Sequence, residues 1–141
     1  MLHHAILQVV EPELERIAVH DSYACRKGKG PHKAIARAQQ YCRRHPFFLQ
    51  LDVRKFFDSI DQAVLRRLLA RRFKDPALLR LFTTILDSYA TTPGTGLPIG
   101  SLTSQHFANF YLAPLDHFVK ETLRVPGYVR YMDDFVLFAD D

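Results

Sequence analysis

Tyr128-Val129-Arg130-Tyr131-Met132-Asp133-Asp134-Phe135-Val136-Leu137-Phe138 decides how the chain is read. Two aromatic and β-branched runs flank adjacent acids, the pattern of a tight β-hairpin carrying carboxylates at its turn. Neighbouring carboxylates about 4 Å apart repel by roughly 1 kcal/mol in water and about 4 kcal/mol at an effective dielectric of 20, so burying them calls for cations. Hard divalent ions meet that need, because Mg²⁺ takes one or two protein carboxylates and leaves its other positions to water and substrate phosphates. A solvated Asp-Asp turn is the plainer alternative, since Asp favours turns and an exposed pair costs little.

Working outward, the 141 residues suffice for one domain, and 48% hydrophobic content excludes a disordered tail. No run of about 18 apolar residues and no secretory leader pattern is visible, so a cytoplasmic protein without membrane contact is expected. Cys25 and Cys42 are too few for a disulfide framework. The net charge of +4 is unevenly spread: residues 26–44 hold seven Lys or Arg and no acid, whereas residues 81–141 hold three bases against seven acids. A basic segment that holds phosphates and an acidic one that attracts metal suit a nucleic-acid enzyme. A solvated helix face is the simpler account of the same basic run.

The basic run opens with Arg26-Lys27-Gly28-Lys29-Gly30-Pro31, where glycines and a proline interrupt structure among cations, as in a phosphate-gripping loop. It lacks Walker spacing. A zinc site from Cys25, His32, Cys42 and His45 is disfavoured because the gaps give no paired ligand knuckles. Upstream, a short amphipathic stretch from His3 to Val10 should end at Glu11-Pro12, with another turn or two over Glu13–Val19. Downstream, Lys33–Tyr41 reads as a helix packing Ala34, Ile35 and Ala38.

Phe47-Phe48-Leu49-Gln50-Leu51-Asp52-Val53 reads as an apolar strand ending in an acid. Burying a lone carboxylate costs several kcal/mol, so Asp52 needs a partner, and Asp133 and Asp134 qualify through shared metal. Helices are expected over Gln62–Phe73, capped by Asp58 or Ser59 with Asp61 in its first turn, and over Pro76–Tyr89, ended by the Thr91–Gly96 run. A third should reach about Arg124, kinked or restarted near Pro114, with Phe107, Tyr111, Leu115 and Phe118 on one stripe.

Taken together these motifs resemble bacterial reverse transcriptases, in the family's order and over most of the chain. Tyr131-Met132-Asp133-Asp134 resembles the catalytic hairpin. Leu51–Asp61 is similar to the first palm motif, and Gly96–Gln105 to the second. Tyr23-Ala24-Cys25-Arg26-Lys27-Gly28 is similar to the fingers loop of group II intron and related enzymes. The resemblance implies an α+β fold, a right-hand polymerase with fingers over 1–46 and mostly palm over 47–141, an antiparallel palm sheet flanked by helices, and no thumb. It implies two Mg²⁺ ions, with Mn²⁺ as an alternative, held by Asp52, Asp133 and Asp134 and by the backbone carbonyl of Val53. Asp134 is expected to bind metal less directly than Asp133.

The same resemblance puts Arg26 on the triphosphate of the incoming nucleotide and Phe57 beneath its sugar, where a rigid ring clashes with a 2′-hydroxyl and selects deoxynucleotides. Ile99 and Gly100 would line the nascent base pair. Lys27, Lys29, Ser104, Gln105, Tyr131 and Met132 would contact nucleic acid. Ile99-Gly100 and Ser104-Gln105 depart from the commoner Gln-Gly and Ser-Pro, a variant that looks like diversity-generating retroelement enzymes and some related unclassified bacterial ones. The implied partners are an RNA template, a DNA or RNA primer, deoxynucleoside triphosphates and an accessory protein of the host element. An RNA-dependent RNA polymerase shares the palm logic, though Phe57 argues against it. A non-catalytic nucleic-acid-binding fragment is the other rival, because the chain reads as part of a longer enzyme.

Overall fold

The computed structural model describes residues 2–88 and 92–141, with the backbone but not the side chain of Leu2 included. The expected helix end at Tyr89 and the start of the terminating run at Thr91 lie outside the described residues. The elements run α1 (Leu2–Ile17), α2 (Pro31–Cys42), β1 (Phe47–Asp52), α3 (Phe56–Ser59), α4 (Gln62–Arg72), α5 (Pro76–Asp87), α6 (Leu102–Tyr111), α7 (Ala113–His117), a π-helical turn (Phe118–Thr122), β2 (Gly127–Tyr131) and β3 (Asp134–Ala139). The fold is therefore α+β with a three-stranded antiparallel sheet. No described helix is long and apolar enough to cross a membrane.

The chain divides into two compact units, one of residues 1–13 and 54–111, the other of 14–53 and 112–141. α1 continues through Pro12, where an end was expected at Glu11-Pro12. A helix-interior proline costs about 3 kcal/mol. The apolar stripe Ile6, Leu7, Val10, Leu14 is buried on both sides of it and keeps the helix intact.

The first unit is helical. Its core stacks Phe82 edge-to-face on Phe73 and Phe107, with centroids 5.5 and 5.1 Å apart, over buried Leu65, Leu69, Leu86 and Leu97. Asp61, not Asp58 or Ser59, caps α4 by accepting from Val64 N at 3.0 Å, and Asp75 caps α5 from Ala77 N and Leu78 N. Gln62 donates to the carbonyls of Leu86 and Gly96, pinning the segment that leads into α6.

In the second unit the strand order is β1-β3-β2, so the hairpin's second strand is central. Gly127 and Val129 of β2 meet α2, whose Tyr41 stacks on Phe138 with centroids 5.3 Å apart. Ala34, Ala38 and Tyr41 form the packed stripe of α2. Ile35, expected inward, is 56% exposed. The long helix after Leu102 does restart near Pro114, which occupies the first turn of α7. The π-helical turn shifts the register, so Val119 is buried and Phe118, expected on the core stripe, is exposed.

β1 differs most from expectation. Every residue of it is exposed, so Asp52 is not the buried acid its apolar neighbours suggested. An edge strand with neighbours on one side only leaves even Phe47, Phe48 and Leu49 open to solvent.

A Cβ on Gly127 would lie 2.7 Å from Tyr41 Cδ1 and 2.8 Å from Phe138 Cβ. Gly127→Ala is expected to destabilise the fold by about 1–3 kcal/mol through overpacking; urea unfolding monitored by circular dichroism measures it, and an unchanged midpoint would refute this account of the α2–sheet contact.

Candidate functional site

The acidic corner is built by strand register. Asp52 is the Cα partner of Asp134 across the β1–β3 ladder, and Tyr131 is the partner of Asp134 across β2–β3. Directly opposed residues share one sheet face, so Asp52 and Asp134 stand side by side. Met132 and Asp133 form the two-residue loop between β2 and β3, and Val53 N donates to the Asp133 carbonyl at 3.3 Å. The ladder thus brings Asp52, Val53, Asp133 and Asp134 to one end of the sheet. Asp134, expected to be the less direct of the pair, is the one set opposite Asp52.

Asp52 and Asp134 are exposed and Asp133 is half-buried. Among the described residues none of the three makes an ion pair, whereas Glu13, Glu15, Asp21, Asp87, Asp116, Glu121 and Asp140 all do. Like charges directly opposed on adjacent strands are destabilising, by about 1 kcal/mol when hydrated. Such a group has hard oxygen donors, local repulsion and, among the described residues, no ion pair, which fits a divalent cation. No three His, Cys, Asp or Glu side chains among the described residues close round a common point.

The hairpin loop is strained. Met132 has φ 56, a left-handed value that costs a non-glycine residue about 1–2 kcal/mol. The support is Arg130, which is 1% exposed and which the sequence reading passed over. Its Nε and Nη2 fork onto Asp116 Oδ1 and Oδ2, both at 2.6 Å, Nη2 also reaches Ser22 Oγ at 3.2 Å, and Nη1 donates to the Met132 carbonyl at 2.8 Å. Tyr128 donates to Asp116 Oδ1 at 2.7 Å, and burial beside that carboxylate pushes its phenol well above the usual range.

The basic loop holds a second group. Arg26, expected on triphosphate, has a side chain only 8% exposed that is already committed: Nε and Nη2 bind the Glu15 carboxylate, and Nη1 donates to the carbonyls of Val19 and Ser22 at 2.6 Å. The hydrogen bonds from Arg26, with its charge, hold Glu15 below the usual carboxylate range against the raising effect of burial. Lys27 is exposed. Lys29 lines a cavity of about 350 Å³ with His20, Tyr23, Lys33 and Arg37, and burial and the Arg26 charge lower its pKa. Lys33 and Arg37 were not singled out from the sequence, although helical spacing places residues four apart on one face.

Three residues of this lining, His20, Tyr23 and Arg37, reach Asp21, also unnoticed in the sequence. Its carboxylate accepts from Lys120 at 2.8 Å, Arg37 at 3.0 Å, Tyr41 at 3.2 Å and Tyr23 at 3.3 Å. Burial alone would raise its pKa, but Lys120, His20 and Arg37 outweigh that and hold it at about 2.

In the other unit, Phe57 is half-buried with its ring edge-on to Phe56, centroids 5.6 Å apart. Ile99 is 73% exposed, and Gly100, at φ 91, faces open space. Gln105 is half-buried. Ser104 is buried and its Oγ has no hydrogen-bond partner, so contact with nucleic acid would require α6 to expose it.

A family model described as reverse transcriptase (RNA-dependent DNA polymerase) matches residues 1–141. The chain is 28% identical over 118 residues to an uncharacterized 91 kDa protein in the cob intron of Schizosaccharomyces pombe, a match covering 79% of this chain and 15% of that relative.

The folded pKa of Asp21 lies below its ordinary 3.8, so its contribution to stability is full above that value and is lost as pH falls toward 2. Urea titrations across that window should show a loss of about 2 kcal/mol from this group, absent in Asp21→Asn; equal pH slopes for the two proteins would contradict the assignment.

Proposed function

Because the chain belongs to the reverse transcriptase (RNA-dependent DNA polymerase) family, we propose that it supplies the catalytic region of an RNA-directed DNA polymerase, which extends a primer 3′-hydroxyl with deoxynucleotides on an RNA template. The observation that carries this reading is the register that opposes Asp52 to Asp134, with the Val53–Asp133 bond beside it and, among the described residues, no Lys, Arg or His ion-paired to any of the three acids. The family uses divalent metal ions. In the proposal Asp52, Asp133, Asp134 and the Val53 carbonyl hold two Mg²⁺, with Mn²⁺ as a substitute. When bound, such ions make the primer hydroxyl a better nucleophile and neutralise charge on the pyrophosphate leaving group.

The chain's own groups do the rest. Lys29, with Lys33 and Arg37 round the same cavity, offers a cationic grip for phosphates, and Lys27 stands exposed beside it. Arg26 joins the triphosphate by exchanging Glu15 for phosphate, one anion for another. Phe57 selects the deoxy sugar, supported by its place five residues after Asp52 and its half-open ring. Ile99 and Gly100 lie open for the nascent base pair, Gln105, Tyr131 and Met132 meet template or primer, and Ser104 joins them once α6 exposes it. The right-hand arrangement, with fingers over 1–46 and palm over 47–141, belongs to the same proposal. The Ile99-Gly100 and Ser104-Gln105 variants support kinship with diversity-generating retroelement enzymes, whose accessory protein would then be a partner.

Asp133→Ala should abolish primer extension by the full polypeptide while leaving primer–template affinity within about twofold, since the carboxylate serves chemistry rather than docking. Phe57→Ala should raise ribonucleotide incorporation relative to deoxynucleotide by about tenfold or more. Extension that survives Asp133→Ala would refute the site. A wild-type preference for ribonucleotides would favour an RNA-dependent RNA polymerase instead.

A further inference from the structure

We propose that Arg130 and Asp116 are positioning residues for the acidic hairpin: their buried fork clamps the Met132 carbonyl and so sets where Asp133 and Asp134 stand relative to Asp52. The inference rests on the reading of those three acids as the polymerase site.

The peptide group is planar, so the Met132 carbonyl and the Asp133 N–H move as one rigid unit. Arg130 Nη1 holds that carbonyl at 2.8 Å. The following peptide plane, which carries the Asp133 carbonyl, is held by Val53 N at 3.3 Å. Both planes that flank the Asp133 Cα are therefore fixed, one by a side chain and one by the residue after Asp52. The conformation being held is an unfavourable one, since Met132 has φ 56. A strained residue persists only where its surroundings over-determine it.

The guanidinium can act as a clamp because it cannot move. Asp116 is fully buried and engages it through both oxygens, Ser22 Oγ accepts from Nη2, and Tyr128 donates to Asp116 from the same strand as Arg130. Ser22 itself forms a parallel bridge to Arg130, with Tyr23 N donating to the Arg130 carbonyl and Arg130 N to the Asp21 carbonyl, both at 2.9 Å. Backbone and side chain of Arg130 are thus each fixed from two directions. A planar fork does this; an ammonium, with one charged point, cannot bind Asp116 at two oxygens and reach the loop carbonyl as well.

A buried ion pair is often replaceable by apolar residues of similar volume without loss of stability. That separates a clamp from a mere strut of the fold. In the full-length polypeptide, the double variant Arg130→Met/Asp116→Leu should keep a melting temperature close to wild type. Its kcat for primer extension should fall about 100-fold, the scale of a misplacement near 1 Å, with KM for deoxynucleotide little changed. Mn²⁺ binding, followed by the electron paramagnetic resonance signal of the unbound ion, should weaken about tenfold. Arg130→Lys, which leaves a cation beside Asp116 and spares the fold if the double variant does not, should lose kcat and Mn²⁺ affinity in the same direction. Wild-type kcat and Mn²⁺ affinity in a folded double variant, or in Arg130→Lys, overturn the proposal. Asp133→Ala, run alongside, separates the two levels. If it is inactive while the double variant is unaffected, the clamp alone falls; if it extends normally, the site reading falls and the clamp with it.

Discussion

A guanidinium that is 1% exposed must find its partners inside the protein, and Arg130 is the side chain round which the second unit is arranged. Its charge is answered by Asp116 from α7, its backbone by residues 21–23, and its remaining reach by the hairpin loop. Leaving such a charge unpaired in the interior would cost several kcal/mol, so α7, the 21–23 segment and the turn are bound to one another by a single requirement. Asp21 is held by the same logic in mirror image. There a buried carboxylate collects Arg37 from α2 and Lys120 from the π-helical turn, and tyrosine hydroxyls fill the remaining acceptor sites.

Much of this was legible in the sequence, and the limits have physical causes. The hairpin, β1, α4 and α5 announce themselves by hydrophobic period and caps, which are local properties. Asp52 and the hairpin acids stood out because acids set beside apolar strand residues break the pattern, although the burial cost expected for Asp52 does not arise on an exposed strand. Arg130 was not, since one arginine in a strand looks the same whether it faces water or a carboxylate fourteen residues upstream. Asp21 was hidden in the same way, its cations coming from positions 37 and 120. Pairings made by tertiary folding leave no period to read.

The basic loop shows a subtler limit. Composition placed cations there correctly, yet it could not say which were already taken. Arg26 is spent on Glu15 and two carbonyls and Arg37 on Asp21, while Lys29 and Lys33, each donating among the described residues to one carbonyl and to no carboxylate, border the cavity. A cation's charge is a sequence property, but its availability depends on what it already binds. Burial of β1 failed as an expectation for a related reason: apolar composition implies burial only where something lies on the other side.

The sheet's two edges are treated differently. On one, residues 21–23 bridge to β2; on the other, among the described residues, nothing pairs with β1. β1 is Phe-Phe-Leu-Gln-Leu-Asp, with Phe47, Phe48, Leu49 and Leu51 all more than 40% exposed. A run of that composition, free of proline and glycine and carrying a row of unpaired backbone groups, is the kind of segment that templates strand addition between molecules. Its only charge is Asp52, which is also the acid on which the proposed chemistry depends. Exchanging Asp52 for a neutral residue would therefore remove the proposed metal-binding acid and the strand's one deterrent to self-association together, so loss of solubility in such a variant has to be separated from loss of activity.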